Sequence, residues 1–479
     1  MTAEVHLSAK YSETGVSRYR GNPFIEALPP LPKAKSELLT CTANYPDVPT
    51  AAVRRAGEVI RIAEVRMLSD LRLPLPEYHR ASIALTIGLR EPYVPRNPMS
   101  LSDVRRRHEV ACASSPAGCD SALQLIQSRA LGYTVVAQTG MGKTTHMLSV
   151  LKNYPQVIHH KEYRGRAIVC VQISYLILRC PHDGTLKSLC LQFFEQVDAR
   201  LGTAYLKQAV GVRGIAPMVM LMKTVATQVS LGLIVVDELQ NLHVAGGARA
   251  ELMLSLFSDI LEKVGVSLFV LATPAVQSVL EKGVRNIRKL TTSGDLAITP
   301  FEAGSKQWRA FTDAYWEYSF TKKHHALTKS VRNAWWEASG GNYAFAAAAF
   351  YLAQVDAIGG TEVVDKVAFE RVSARQMAFL QPAIAALRSG NPNSLLHFDD
   401  LILKAPYEQL RSLVGAQQQE SASHYQDQKF DEEAAAGGKR NEAAIAGKAP
   451  DKACPKRRRQ PREHSVDTSA FEREDPLRP

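Results

Sequence analysis

Residues 137–144 read A-Q-T-G-M-G-K-T. A loop that wraps the phosphates of a nucleotide follows G-x-x-x-x-G-K-[ST], and this stretch departs from it only at Ala137. Gly140 and Gly142 let the backbone turn so that successive N–H groups face the phosphates. Lys143 supplies a point charge to the β and γ phosphates. Thr144 offers a hydroxyl to Mg²⁺, and the helix it opens adds its positive end. The residue that opens the loop must be small, which Ala137 is. The candidate ATP-binding set is Ala137, Gln138, Thr139, Gly140, Met141, Gly142, Lys143, Thr144 and Thr145.

A second acidic motif stands downstream. "LIVVDEL" places Asp237 and Glu238 at the end of an apolar run, 94 residues after Lys143. Two carboxylates at the tip of a buried strand are costly unless they serve chemistry. Asp237 is the candidate Mg²⁺ residue, acting through water, and Glu238 the residue that polarises the attacking water. That pairing fits hydrolysis of ATP better than a kinase that excludes water. The competing reading is a pair of acids that cap the next helix. Thr273, in "LATP", is either a polar sensor of the γ-phosphate or an ordinary strand-end threonine. Arg285 and Arg288 are three apart on a helical pattern; one could reach a neighbouring subunit's nucleotide as an arginine finger, or both form a solvated basic face.

These residues need a scaffold, and the hydrophobic pattern supplies one. From about 106 to 300, apolar runs alternate with amphipathic helices: "YTVVAQ", "KTTHMLSVLKNY", "AIVCVQISYLIL", "LKSLCLQFFEQVDARLG", "LGLIVVDELQNL", "ELMLSLFSDILEKVG" and "VSLFVLATP". Continuous apolar strands between helices predict an α/β fold with a parallel sheet covered on both faces. Residues 1–105 are broken by prolines. They predict a small accessory domain of short strands or extended segments around a helix at 51–68, with Val53, Ile60 and Val65 inward. Residues 301–415 carry only helical patterns, such as "SKQWRAFTDAYWEYSF" and "YAFAAAAFYLAQVDAIGG", and predict a helical lid. From 416 to 479 the chain is polar and low in complexity and is expected to be disordered.

The net charge of +11 sits in residues 1–415, because the tail holds 12 Lys/Arg and 12 Asp/Glu. A basic folded body suits a polyanion, nucleic acid first, although a solubilising surface would have the same balance. Seven scattered cysteines without a C-x-x-C pair read as reduced thiols. No apolar run reaches the roughly 20 residues needed for a membrane span. The N-terminus lacks the basic-then-apolar pattern of a signal peptide, so a cytoplasmic protein is expected.

Several long blocks resemble the TnsC/TniB group of AAA+ ATPases, the regulators of Tns/Tni-type transposon insertion. They are "YRGNPFIEALPPL", "YPQVIHHKEYRGR", "CPHDGTLKSLCLQFFEQVDARLGTAY", "IVVDELQNL" and "ALRSGNP", and the resemblance spans roughly residues 19–400. It implies an AAA+ P-loop NTPase fold, with ATP and Mg²⁺ as cofactors. It further implies a homo-oligomeric ring or filament on double-stranded DNA and partnership with transposase subunits and a target-selector protein. The bacterial nucleoid would be its working location. By the resemblance, Lys143 and Thr144 hold phosphate and Mg²⁺, and Asp237 and Glu238 are the metal and water residues. Two features depart from the group: Ala137 replaces the loop glycine, and "SGGNYAFAAAAF" lacks the arginine that many AAA+ lids use as a second sensor. Arg179 and Lys187, in "LRCPHDGTLKS", are candidates to face DNA in a central channel, or belong to a solvated helix start. The basic "KRRRQPREH" at 456–464 is a candidate partner-binding segment or a plain linker. The alternatives are a helicase-loader-like or signalling AAA+ ATPase acting on a protein, and, further off, a small-molecule P-loop kinase.

Overall fold

The computed structural model describes residues 6–276, 279, 284–390 and 398, without the side chains of 244, 245 and 284–286. The expected disordered tail and its basic segment lie outside the described residues, as does Cys454. All described residues belong to one unit, residues 1–403.

Five strands form the central sheet: β2 (Gly132–Ala137), β5 (Tyr175–Arg179), β6 (Leu233–Asp237), β7 (Ser267–Ala272) and β8 (Asp295–Ile298). All pairings are parallel, in the order β5-β6-β7-β2-β8. Every residue of β2, β6 and β7 is buried, as a strand covered on both faces requires. The two-residue period of a strand divides their side chains between two cores. Val135, Val235 and Leu271 face a cluster that takes in Leu68 and Leu85 from the N-terminal region and Trp308, Trp335 and Phe350 from the C-terminal helices. Val136, Val236 and Val270 face the opposite cluster, filled by Phe193, Phe194, Met222 and Phe257 of the helices Leu186–Leu201, Ile215–Gln228 and Gly247–Asp259.

A second sheet has the order β1-β3-β4: β1 (His6–Ser8), β3 (Val157–Tyr163) and β4 (Arg166–Ile173). Here the structure corrects the expectation of one strand across 167–178. Arg164 and Gly165, at φ 49° and 77°, make a tight turn that folds β4 antiparallel onto β3. The chain then breaks at Ser174, and β5 starts afresh in the main sheet. The buried polar pair Gln172 and Ser174 marks that crossing, with Ser174 N–H donating to the Gln156 carbonyl at 2.8 Å.

The N-terminal region holds several short helices rather than one, joined by extended segments. Among its described residues the one strand is β1, and the helix expected over 51–68 is two, Ala51–Arg55 and Glu58–Val65, separated at Gly57. Val65 is fully buried and Val53 half-buried, whereas Ile60 is 59 % exposed, because the break re-phases the second helix. The C-terminal part is all helical: Lys306–Trp316, Ser305-capped, then Lys329–Ser339, Tyr343–Ala357, Lys366–Ala374 and Gln381–Ser389. Trp335 stacks on Phe350 and Phe369, at ring distances of 4.7 and 5.3 Å, and knits these helices together. The six described cysteines are unpaired, with Cys119, Cys180 and Cys190 buried. No helix among the described residues is long and apolar enough to cross a membrane.

Candidate functional site

The carboxyl ends of β2, β6 and β7 converge, and the motif residues sit on them. β2 ends at Ala137, which is fully buried, pairs in register with Ile298, and is not among the residues of positive φ. Alanine is therefore unstrained where the consensus has glycine. The chain then turns through Gly140 and Gly142, at φ 85° and 80°, into the helix Lys143–Leu151. Both turns require the left-handed region that glycine enters freely. Gly140 is constrained twice, since a Cβ there would lie 2.8 Å from Asn342 Oδ1 and 2.9 Å from Ala344 Cβ. Gly142 faces open space.

Hydrophobic anchoring holds the loop in place. Met141 is buried, and its carbonyl accepts a 2.8 Å bond from the Tyr78 hydroxyl. Burial drives the Tyr78 phenol well above its ordinary range, so it stays protonated and remains a donor. Tyr78 also stacks on His146 at 4.4 Å. Burial pushes His146 down to about 4, so the imidazole is neutral where its Nε2 meets Ser82 Oγ at 2.8 Å. Lys143 Nζ donates to the carbonyls of Ala137 and Gln138, at 2.7 and 3.1 Å, which places the ammonium across the loop it serves.

The loop and the acid pair meet. Thr144 Oγ1 donates to Asp237 Oδ2 at 2.8 Å across a sequence separation of 93 residues. Asp237 is nearly buried at the tip of β6, and its other oxygen accepts the Glu238 N–H at 2.8 Å. A hydroxyl and a carboxylate oxygen are the hard donors Mg²⁺ takes, and adjacent ligands of its octahedron lie about 3 Å apart. The pair therefore fits that ion. Glu238 adopts φ 59°, rare for a residue with a side chain. The turn swings Leu239 into the core, where its N–H donates to Leu271 O at 3.1 Å. Thr273, 3 % exposed at the end of β7, lines the same cavity as Glu238.

The cavity measures about 480 Å³, within the range of small-molecule sites. Its floor is residues 139–146. One wall is the N-terminal segment, with Leu71, Leu73, Leu75 and Tyr78; the other is the lid, with Tyr343, Ala344 and Ala347. The lid touches the loop directly. Asn342 Oδ1 caps the helix Tyr343–Ala357 by accepting from Ala344 and Phe345 N–H, while its Nδ2 donates to Thr139 O at 2.9 Å. Ala344 N–H donates to Gly140 O at 3.1 Å. Asn342 thus occupies the part of the lid noted for its missing arginine. The two walls are tied to each other: Arg61 makes two 2.6 Å bonds to Glu362, and Leu73 N–H donates to the Tyr343 hydroxyl at 3.1 Å.

The remaining candidates are carried by other elements. Arg179 is exposed at the end of β5, beside Asp237 in register, and its N–H donates to Gln192 Oε1. Lys187 is exposed in the first turn of the helix Leu186–Leu201. Arg285 and Arg288 share the helix Val284–Leu290; Arg288 is exposed, and the Arg285 side chain lies outside the described residues. Sequence reasoning missed Asn342, Tyr78, Gln240 and the 71–75 wall. An asparagine directly before a helical run is a capping signal, and it was available at Asn342.

Residues 126–280 match a protein-family model described as an AAA domain. No curated protein matches the chain. Among solved structures, the Walker-type ATPase PABY2304 of Pyrococcus abyssi is 11 % identical, covering 60 % of this chain and 75 % of its own, at a TM-score of 0.34. That is a distant similarity. The chain carries an AAA-type P-loop ATPase domain, which implies ATP binding, typically with Mg²⁺.

Proposed function

We propose that this chain is an ATP-dependent regulator of transposition that assembles on target duplex DNA and links target selection to transposase recruitment or activation. The observation that carries the ATPase part is the 2.8 Å contact of Thr144 with Asp237, which brings loop and acid pair to one cavity. The DNA part is supported by the +11 charge of the chain, by exposed Arg179, Lys187 and Arg288, and by the sequence blocks that resemble transposition regulators.

Each residue has a defined task in this reading. The N–H groups of 139–145 and the Lys143 ammonium bind the triphosphate, and Thr144 and Asp237 hold Mg²⁺. The ion neutralises charge on the phosphates when bound. Glu238 orients and polarises the attacking water, and Thr273 lies between the acid pair and the γ-phosphate. The base sits between the lid and the 71–75 segment, which is apolar apart from Arg72. Arg285 or Arg288 completes a neighbouring subunit's site. ATP at that seam holds the assembly closed, and hydrolysis removes the contacts that distinguish the two states. Lys and Arg grip phosphates without reading bases, so affinity falls steeply with salt, with a log–log slope of about −0.9 per phosphate neutralised.

Electron microscopy and filter binding with duplex DNA and a non-hydrolysable ATP analogue test this. Ordered assemblies on DNA that require the analogue, and turnover that rises with duplex, are expected. Nucleotide binding with no affinity for DNA at low salt would overturn the DNA reading and favour a protein partner.

A further inference from the structure

Glu238 presents a problem of positioning. Its backbone is fixed, because its N–H is bound to Asp237 Oδ1 and the next residue, Leu239, is locked in the core by its bond to Leu271 O. Its side chain still has three rotatable bonds beside an open cavity. A residue that activates water must lie within hydrogen-bond reach of it, and a freely rotating carboxylate spends little time there. Gln240 supplies the missing constraint. Its Nε2 donates to Glu238 Oε2, and its Oε1 accepts the Thr273 N–H at 3.1 Å. The amide has one sensible orientation, since a carboxylate can only accept and a backbone N–H can only donate. It therefore forms a bridge from the end of β6 to the end of β7.

We propose that Gln240 is a positioning residue: it sets the Glu238 carboxylate against Thr273 through its side-chain amide, leaving Glu238 Oε1 for the attacking water. The role rests on the ATPase reading above. The amide is neutral and engages one oxygen, so it orients the carboxylate without neutralising it. A change at the end of β7, where Thr273 sits, is carried to Glu238 by the same bridge.

Three variants separate this from mere support of the β7 end. Gln240→Ala is expected to lower kcat for ATP about tenfold, a loss within the range for misplaced acid–base groups, with KM and the Kd of a fluorescent ATP analogue unchanged. Gln240→Glu keeps the length and still accepts the Thr273 N–H, but it sets a second carboxylate against Glu238; its kcat is expected to fall below that of Gln240→Ala. In a Glu238→Gln background, Gln240→Ala is expected to change the residual rate less than about twofold, because a residue acting through Glu238 is not additive with it. Unchanged analogue binding shows that each variant is folded. Turnover of Gln240→Glu at or above that of Gln240→Ala, a loss in KM alone, or an additive loss in the double variant would overturn the role. Turnover of the unaltered chain no greater than that of Lys143→Ala would overturn the hydrolysis reading itself, and the role with it.

Discussion

The two sides of the cavity are built on different principles. The phosphate side is made of strand ends and one loop, held by polar bonds: Thr144 to Asp237, Lys143 to the carbonyls of Ala137 and Gln138, Gln240 to Glu238. The base side is made of two segments far apart in sequence, Leu71–Leu75 and Tyr343–Ala347, held by packing and by an ion pair between Arg61 and Glu362, 301 residues apart. The first side is specified locally and, in the proposed function, performs the chemistry. The second is specified by tertiary structure and shapes the space around the ligand. Perturbing the first should cost rate, and perturbing the second should cost stability or affinity.

The largest effect is expected on the phosphate side. Glu238→Gln removes the base but keeps the size and the backbone, so kcat should fall about 10²–10³-fold with ATP affinity retained. Steady-state turnover beside analogue binding measures both. Normal hydrolysis by this variant would move the water-activating role elsewhere.

On the base side, Arg61→Ala should leave the chemistry alone and unseat the wall. Arg61 is fully buried, and Glu362 also accepts N–H bonds from Gly359 and Lys322 at 3.0 and 3.2 Å. Removing one partner strands the other, at a cost of about 3–5 kcal/mol in denaturant unfolding, with kcat of the folded protein little changed. The pair also sets an acid limit. The Arg61 bonds, helped by the two backbone donors against desolvation, hold the Glu362 carboxyl down to about 2. A folded-state value below the unfolded one, about 4.3, gives stability that is present above that value and lost as pH falls toward 2. Glu362→Gln should flatten unfolding midpoints over that window. An unaltered acid profile would show that the pair does not govern it.

Asn342 joins the two sides, and its variants should divide the cost between them. Asn342→Ala loses the helix cap and the bond to Thr139 O, and about 1–2 kcal/mol of stability is expected to go with them. Asn342→Ser keeps a capping oxygen but is too short to reach Thr139. Its thermal midpoint should recover while ATP affinity stays several-fold weaker. Affinity that recovers along with stability would make the residue a cap and nothing more.

The same division explains what could be read in advance. Lys143, Thr144, Asp237 and Glu238 announce themselves because loop and strand-end chemistry needs those residue types in short runs. The strands β2, β6 and β7 were legible because burial on both faces forces unbroken apolar sequence. The break at Ser174 was not, because β4 and β5 are both apolar and only their partners tell them apart. Ile60 was misplaced because periodicity across Gly57 assumes one continuous helix. Leu71–Leu75 carries no motif at all: such a segment becomes a wall only when the lid packs opposite it. Gln240 lay inside the quoted block "IVVDELQNL", yet its role depends on β7 arriving beside β6, which no local pattern records.

The smallest effect separates a motif from the physics behind it. Ala137→Gly would restore the loop consensus, and a reading by motif alone predicts tighter ATP binding. The structure predicts otherwise. Ala137 still belongs to β2, pairs with Ile298, and contributes its carbonyl to Lys143, which any residue's backbone can do. Its φ is not positive, so glycine's freedom is not used there, and its methyl is fully buried. Glycine would lose that packing and add backbone entropy to the unfolded chain, for about 0.5–1 kcal/mol of lost stability. ATP affinity should stay within about twofold, since the N–H groups that face phosphate begin beyond this position. Isothermal titration of ATP analogue beside thermal unfolding measures the two quantities. Binding that tightens severalfold would mean that the loop's first residue, and not only its two later glycines, shapes the phosphate cradle.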